Sequence, residues 1–574
     1  MKNQEISRIL SEFAELYDTK DVPFKPRAFD RAAEGVAAFG RDIAEVYKKE
    51  GLKGLEEIPG VGRGIAERIE EYLMSGKIKE YDKLKKEFPV DIRELTAIEG
   101  IGPKLIKLLY EKLKVRNVAD LEKAARAGKL KSLPRFGEKL EKKILKGLEF
   151  HKEGDGRFLL GEILPMAREI RERLLKISGV KKVELAGSLR RWQETVGDID
   201  ILAIASDAKK IAEYFSKMPE VSHVYGKGET KVMVRLHSPA GGSIDADLRI
   251  LPPESFGAAM QYFTGNKDHN IEVRKIAIKK GYLLNEYGLY RGKKVIAAER
   301  EEEIYEKLGL QTPPPELRLN SGEIEAACAK KIPRLLGYGD LKGDLQVQTN
   351  WTDGKNSIEE MAREAEKLGH EYIAITDHTR SLAMTGGADE KKLLKQMAEI
   401  DKIQEKFSKI KILKSAEVNI LKNGSLDIAD EVLAKLDVVG AAVHSLFNLS
   451  RAEQTARVVR AMENPHLDIL FHPTGRIVGR RKPIELDMKK IIAAAKRTGT
   501  ILEIDGHPSR LDLKDEHIRM AREAGVKMVI DTDAHSVPEL HYLEYGIAQA
   551  RRGWCERQDI INTLPLKEFL ASLK

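Results

Sequence analysis

"AGSLRRWQETVGDIDILAIA", residues 186–205, decides how the rest of the chain is read. Asp198 and Asp200 alternate with Ile199 and Ile201, so on a strand both carboxylates share one face and both isoleucines the other. Two carboxylates on one face repel unless a divalent cation lies between them. Phosphoryl transfer by two metals needs such a pair, with ions roughly 3.5–4 Å apart bridging attacking and leaving oxygens. The Gly187-Ser188 turn can offer a backbone N–H and a hydroxyl to a triphosphate, and Arg191 a guanidinium fork. A third carboxylate is expected from a neighbouring strand. "SIDADLRILPP", residues 243–253, supplies Asp245 and Asp247, two apart and on one face, and periodicity does not choose between them.

Upstream, from Met1 to about His151, the pattern is helical with short Gly-rich turns. Three turns share one design: "IPGVGRGIA" (58–66), "IEGIGPKLI" (98–106) and "LPRFGEKLE" (133–141). In the first two, Gly60, Gly62 and Gly64, then Gly100 and Gly102, free backbone N–H groups at a helix start. Such groups hold a phosphate without reading base sequence. Lys104 and other nearby basic residues add a salt-dependent attraction. One isolated copy would serve equally well as a helix cap in a bundle; repetition favours helix-hairpin-helix DNA binding. The third copy lacks the first glycine.

Downstream, short β-rich runs around "VELAG", "KVMVRL" and "IDADLRIL" give an α+β region. "TPPPELRLNSGE", residues 312–323, reads as a linker. From Gly343 strands such as "EYIAITD", "DILFHP" and "KMVIDTDAH" alternate with amphipathic helices, which implies βα units in a parallel sheet or barrel. Potential ligands stand at the C-terminal ends of those strands, where (β/α) barrels build their active sites.

The 574 residues suffice for about three to five domains. A net charge of +8, from 99 basic and 91 acidic residues, is compatible with nucleic acid but does not demand it. Only two cysteines, Cys328 and Cys555, argue against a disulfide framework and fit a reducing cytoplasm. The start of the chain lacks a signal-peptide pattern, and no apolar run approaches the roughly 18 residues of a membrane span.

"GSLRR", "GDIDIL", "DLRILP" and "YFTGNKDHNIEVR" together resemble a family X DNA polymerase related to DNA polymerase beta, and "IPGVGRGIAERI" resembles that family's N-terminal helix-hairpin-helix. The likeness runs from about Glu5 to Pro313. The region beyond matches the bacterial and archaeal branch, which carries a PHP (polymerase and histidinol phosphatase) domain. The expected fold is therefore multidomain. A helical helix-hairpin-helix domain (1–88) and a second such domain (89–152) precede an α+β nucleotidyltransferase palm (153–258). A small nascent-pair-binding subdomain (259–315), a linker (316–340) and a (β/α) barrel-like PHP domain (341–574) follow.

The resemblance implies that Asp198, Asp200 and Asp247 bind Mg²⁺ or Mn²⁺, the "DLR" context favouring Asp247 over Asp245, and that Asp247 is the base for the primer 3′-hydroxyl. It makes Ser188, Arg191 and Gly197 triphosphate-binding positions. It gives Tyr262, Phe263 and Gly265 the wall beside the nucleotide sugar, and Asn270 and Arg274 contacts to the nascent pair and template. DNA and deoxynucleoside triphosphates are the implied partners, with a monomeric enzyme in base excision repair. Some relatives form a Schiff base with 5′-deoxyribose phosphate through a lysine; the matching residue here is Arg68, which makes no useful imine. Lys25 remains to bind a 5′-phosphate, and weak or absent lyase activity is expected.

For the PHP region the resemblance implies metal ligands at Asp353, His378, Glu417, His444, His472, Asp533 and His535, suited to Zn²⁺ or Mn²⁺. The family's opening His-x-His motif is here Gln346-Val347-Gln348. An amide oxygen is a neutral, weaker ligand than imidazole. Both changes fall on one strand face, so one or two ions are expected and nuclease activity is expected to be impaired. The competing readings are a 3′–5′ exonuclease or abasic-site endonuclease with secondary synthesis, a template-independent nucleotide-adding enzyme, and a non-catalytic DNA-binding scaffold.

Overall fold

The computed structural model describes residues 2–20, 22, 25–39, 41, 43–58, 60–92, 95, 101, 103–130, 157–238, 243–382, 385–479 and 481–574. The chain divides into two compact units, 1–157, 173–184 and 197–312 in one, and 158–172, 185–196 and 313–574 in the other.

The first unit opens with helices Lys2–Thr19, Lys25–Ala38, Ile43–Glu56 and Arg63–Ser75. Their apolar stripes close around Leu10, Phe13, Phe29, Val36, Leu55 and Ile69, all buried. The Phe13 ring meets Phe29 at 4.9 Å and Tyr81 at 5.3 Å. Such aromatic pairs add to the burial of the rings themselves.

Further along this unit lies a five-stranded sheet in the order 180–185, 198–205, 243–250, 231–237, 221–227. Strands Asp198–Ala205 and Ser243–Ile250 run parallel, and the next two neighbours pair antiparallel. Ile199, Ile201, Ala246 and Leu248 are buried, so the carboxylates between them take the opposite face, as the alternation predicts. Helices Phe256–Thr264 and Lys267–Lys279 follow, with a three-stranded antiparallel sheet over 283–297.

Among the described residues of the second unit, the strands between 343 and 531 pair in parallel, apart from isolated antiparallel bridges of Ile420 with Leu426 and of Ile477 with Arg481. Strands 343–347, 372–375, 501–505 and 528–531 are buried along their full length, the mark of strands covered on both faces. Val347 bridges to Ala534, bringing the first strand beside the last. Asn562 staples that seam: its amide donates to the carbonyls of Gly343 (2.8 Å) and Ile530 (2.7 Å). The barrel-like arrangement expected from the βα rhythm is thus present. Ser357 and Ser450 start two covering helices, each in a reciprocal capping box with a glutamate three residues on. Gly440 is required on its strand, because a Cβ there would stand 1.8 Å from the Phe471 ring.

The segment 316–340, read as a linker, is folded. Leu317, Arg318 and Glu323 are buried, and a short helix spans Glu323–Cys328. Its polar groups find partners that sequence does not display: Arg318 donates to the Pro313 carbonyl at 2.9 Å, Glu323 accepts from Asn320 and Ser321 N–H, and Arg551 donates to Glu316 at 2.8 Å.

Candidate active sites

In the first unit, parallel register sets Asp200 opposite Asp247 and Asp198 opposite Asp245. Neighbouring strands lie about 4.8 Å apart, so each pair is adjacent on one face. The two candidates for the third carboxylate have different partners. Asp245 accepts from Arg235 Nε at 2.8 Å and from Tyr225 Oη at 3.0 Å, bonds that anchor it to the sheet. Among the described residues Asp247 meets the Lys231 ammonium at 3.0 Å, a flexible and partly exposed cation that a metal could displace. Three hard carboxylate donors on adjacent strands suit Mg²⁺ or Mn²⁺. The two tight groups of ligand atoms among the described residues, however, lie in the second unit rather than here.

Helix Phe256–Thr264 carries Tyr262 and Phe263, whose rings meet edge-on at 5.0 Å; the Arg249 guanidinium lies 4.3 Å over Phe263. Gly265 ends the helix at φ 62°, a left-handed conformation that glycine adopts freely. Asn270 is buried; its amide donates to the Tyr262 carbonyl at 2.7 Å and its oxygen accepts from Gln261 at 2.7 Å. In this state Asn270 therefore braces the Tyr262 turn instead of projecting outward. Arg274 donates to the Asn270 carbonyl at 3.3 Å.

Gly62 caps helix Arg63–Ser75 without a side-chain cap bond, Gly60 has φ 84°, and among the described residues beyond its immediate chain neighbours no atom stands within 4 Å of where a Gly62 Cβ would sit. This open, bare helix start is the geometry expected of the first hairpin. Arg68 is tied to Glu80 at 2.8 Å, and Lys25 lies 3.5 Å from Glu80 and 4.4 Å over the Tyr17 ring. Gly100, Gly102 and the third turn at 133–141 lie outside the described residues, as does the side chain of Lys104.

The second unit gathers the remaining expected ligands at the strand ends. Asp353, His378 and His535 form one group, and His378, Glu417 and His444 another, the ligand atoms of each within 4.8 Å of one another. Glu417 is fully buried. His444 Nε2 stands 2.9 Å from Glu417 and His378 Nδ1 3.2 Å from it, yet neither nitrogen is aligned for a hydrogen bond. Buried lone pairs converging without proton bridges are what a cation would satisfy. The far sides of two rings are fixed, as ligating imidazoles require. His444 Nδ1 bonds Asn419 Oδ1 at 2.8 Å, and His535 Nδ1 bonds the Asp533 carbonyl at 2.7 Å. His472 Nε2 donates to Glu417 at 2.8 Å. Burial opposes the charge on Glu417, but His378 and His444 outweigh it and hold its carboxyl well below the usual range. These residues fit a metal.

The other half of the cluster does not. Gln348 turns its amide nitrogen inward, donating to Glu417 at 2.8 Å and Asp533 at 3.3 Å, while its oxygen accepts from Thr376 at 2.9 Å. The expected weak oxygen ligand is thus aimed away from the carboxylates, because the amide N–H groups are the better partners for them. Gln346, oriented to satisfy both groups, donates to Glu503 Oε2 at 3.1 Å. Arg510 places its Nε 3.1 Å from Asp533 and 3.5 Å from Asp505. Asp533 is drawn to this guanidinium. Burial, with Asp505 and Asp531 nearby, pushes Glu503 well above the usual carboxylate range; burial and Asp533 do the same to Asp505. Glu503, Asp505 and Arg510 escaped the sequence reading. The Glu-x-Asp at the end of the 501–505 strand was the available signal.

Comparison with known proteins matches four family models along the chain. The helix-hairpin-helix domain model matches residues 1–78, the SAM-like helix-hairpin-helix tandem 92–149, the DNA polymerase beta thumb 259–319 and the PHP domain 344–535. Over 577 aligned positions, covering 100% of both chains, the sequence is 37% identical to the "DNA polymerase/3'-5' exonuclease PolX" of Bacillus subtilis (strain 168). A probable phosphatase of Thermoanaerobacter sp. (strain X514) is 30% identical over 38% of this chain and 89% of its own. One of Acetivibrio thermocellus is 32% identical over 31% and 73%.

Proposed function

The chain belongs to the family X DNA polymerases that carry a C-terminal PHP domain, and from that premise we propose that it is a DNA-directed DNA polymerase filling short gaps during repair. The observation that carries the assignment of the catalytic centre is the register of Asp198 and Asp200 beside Asp245 and Asp247 on one face of the sheet. Asp198, Asp200 and Asp247 hold the Mg²⁺ or Mn²⁺ ions, which supply charge neutralisation at the α-phosphate when bound. Asp245, already anchored by Arg235 and Tyr225, keeps the sheet edge in place. Asp247 accepts the proton of the primer 3′-hydroxyl. The Ser188 hydroxyl is buried and has no hydrogen-bond partner among the described residues; together with Arg191 and Gly197 it receives the triphosphate. Tyr262, Phe263 and Gly265 line the sugar, and Asn270 supports them. Arg274 approaches the template side, while Lys25, the hairpin glycines 60, 62, 64, 100 and 102, and Lys104 hold the DNA backbone.

The PHP domain holds metal on the His378, Glu417 and His444 side, with Asp353 and His535 beside it, Zn²⁺ or Mn²⁺ suiting those donors. With Gln346, Gln348 and Arg510 occupying the opposite side, its nuclease activity is impaired. Single-nucleotide insertion into gapped duplex DNA tests the reading. Insertion should require Mg²⁺ or Mn²⁺ and vanish in Asp198→Ala; insertion surviving that change would place catalysis elsewhere.

A further inference from the structure

The nucleotide-binding turn belongs, by its packing, to the same compact unit as the PHP domain: residues 185–196 fall with 313–574. Named bonds explain this. Glu194 is mostly buried and receives Arg476 in a two-pronged pair, 2.6 and 3.2 Å, with Gln549 Nε2 a third donor at 3.0 Å. Two residues upstream, the Trp192 carbonyl accepts from Arg552 at 3.2 Å. The Trp192 ring lies between Tyr338 and Tyr545, 5.7 Å from each. Trp192 holds φ 51°, a conformation a bulky side chain adopts only when its surroundings impose it.

Helix Leu160–Leu175 reinforces the attachment. Its Leu160 N–H donates to the Glu194 carbonyl at 3.0 Å. Arg168 forks onto Glu544 at 2.8 and 2.9 Å. Gly161 lies so close to Pro508 that a Cβ would approach its Cβ to 2.3 Å. Arg476 itself follows His472 by four residues, so the loop that carries a metal ligand also carries the clamp.

Resting on the polymerase reading above, we propose that Glu194, gripped by Arg476 and Gln549, is a positioning residue for synthesis. It holds the Ser188–Arg191 turn against the PHP domain, so this domain sets affinity for the incoming nucleotide independently of any phosphoesterase chemistry. A two-pronged, desolvated guanidinium–carboxylate pair fixes orientation as well as distance, which a surface ion pair does not. Ser188 stands six residues from Glu194 on the same short connection, and Asp198 follows four residues later.

The test uses the full chain in steady-state filling of a one-nucleotide gap. Arg476→Met should raise the nucleotide KM about tenfold, with kcat within about threefold and gapped-DNA affinity unchanged; Arg476→Lys should lose about threefold. Should Arg476→Met fail to fold on a thermal melt, Gln549→Leu keeps the ion pair and should still raise the nucleotide KM about threefold. An unchanged nucleotide KM in a folded variant, or an equal loss of DNA affinity, overturns the positioning role. Absence of synthesis by the unaltered chain would instead refute the polymerase reading itself, and this proposal with it.

Discussion

Gln348 donates its amide N–H to Glu417 at 2.8 Å, on the carboxylate toward which His378 and His444 both turn a nitrogen. A side chain with donors only on that side takes coordination capacity from a metal site instead of adding to it. Arg510 compounds the effect by bringing a fixed positive charge to Asp505 and Asp533.

Restoring imidazoles should reverse this. In the double variant Gln346→His/Gln348→His, elemental analysis after equilibration with Mn²⁺ should show about one more metal per chain. Degradation of 3′ ends should rise about tenfold or more, since a bound water becomes easier to ionise. Unchanged metal content would show that the glutamines are not what limits the site.

The two neighbouring aspartates of the 243–250 strand should separate cleanly. Asp247→Asn should reduce insertion by about three orders of magnitude with little change in stability, as expected for a group needed in the transition state. Asp245→Asn should leave insertion within about tenfold and lower the melting temperature slightly, its ion pair being partly exposed and worth about 1 kcal/mol or less. Equal losses from both would mean that the partners of Asp245 do not distinguish it.

His370 gives a pH test away from either site. Burial lowers its pKa from the ordinary 6.5 to about 4, and its Nε2 has no hydrogen-bond partner among the described residues. The unfolded chain takes up the proton near pH 6.5 while the folded chain does not until about pH 4. Stability from this residue is therefore full above pH 6.5 and declines as pH falls to about 4, by about 3 kcal/mol in all. Denaturant titrations of His370→Phe should lose that part of the slope. An identical pH profile would show that His370 protonates freely in the folded chain.

Arg68 and Lys25 are both engaged around Glu80. Borohydride trapping on a 5′-deoxyribose phosphate end should give little or no covalent adduct, and near-complete trapping that is lost in Lys25→Ala would contradict the expected weak or absent lyase activity.

Asp198 and Asp200 were legible because strand periodicity and side-chain chemistry coincide over a few residues. The βα rhythm after Gly343 was equally plain, because fully covered parallel strands demand continuous apolar runs. The glutamine pair stood out in sequence, but its consequence did not: Glu503 and Arg510 lie some 150 residues downstream and meet it only through barrel closure. The prolines and polar residues at 312–323 suggested a linker, since composition does not display partners such as Arg551. Likewise nothing local marks Glu194 as the partner of Arg476 and Gln549; the first comes from the loop after the 469–470 strand and the second from helix Leu543–Arg552, both far along the chain.

The most direct measurement offers the purified chain a one-nucleotide gapped duplex labelled at the primer 5′ end, with Mn²⁺ and all four deoxynucleoside triphosphates, and follows primer length. Lengthening by one nucleotide, with little shortening when nucleotides are withheld, is the predicted result. Shortening without any lengthening would contradict the account and make degradation the chain's main chemistry.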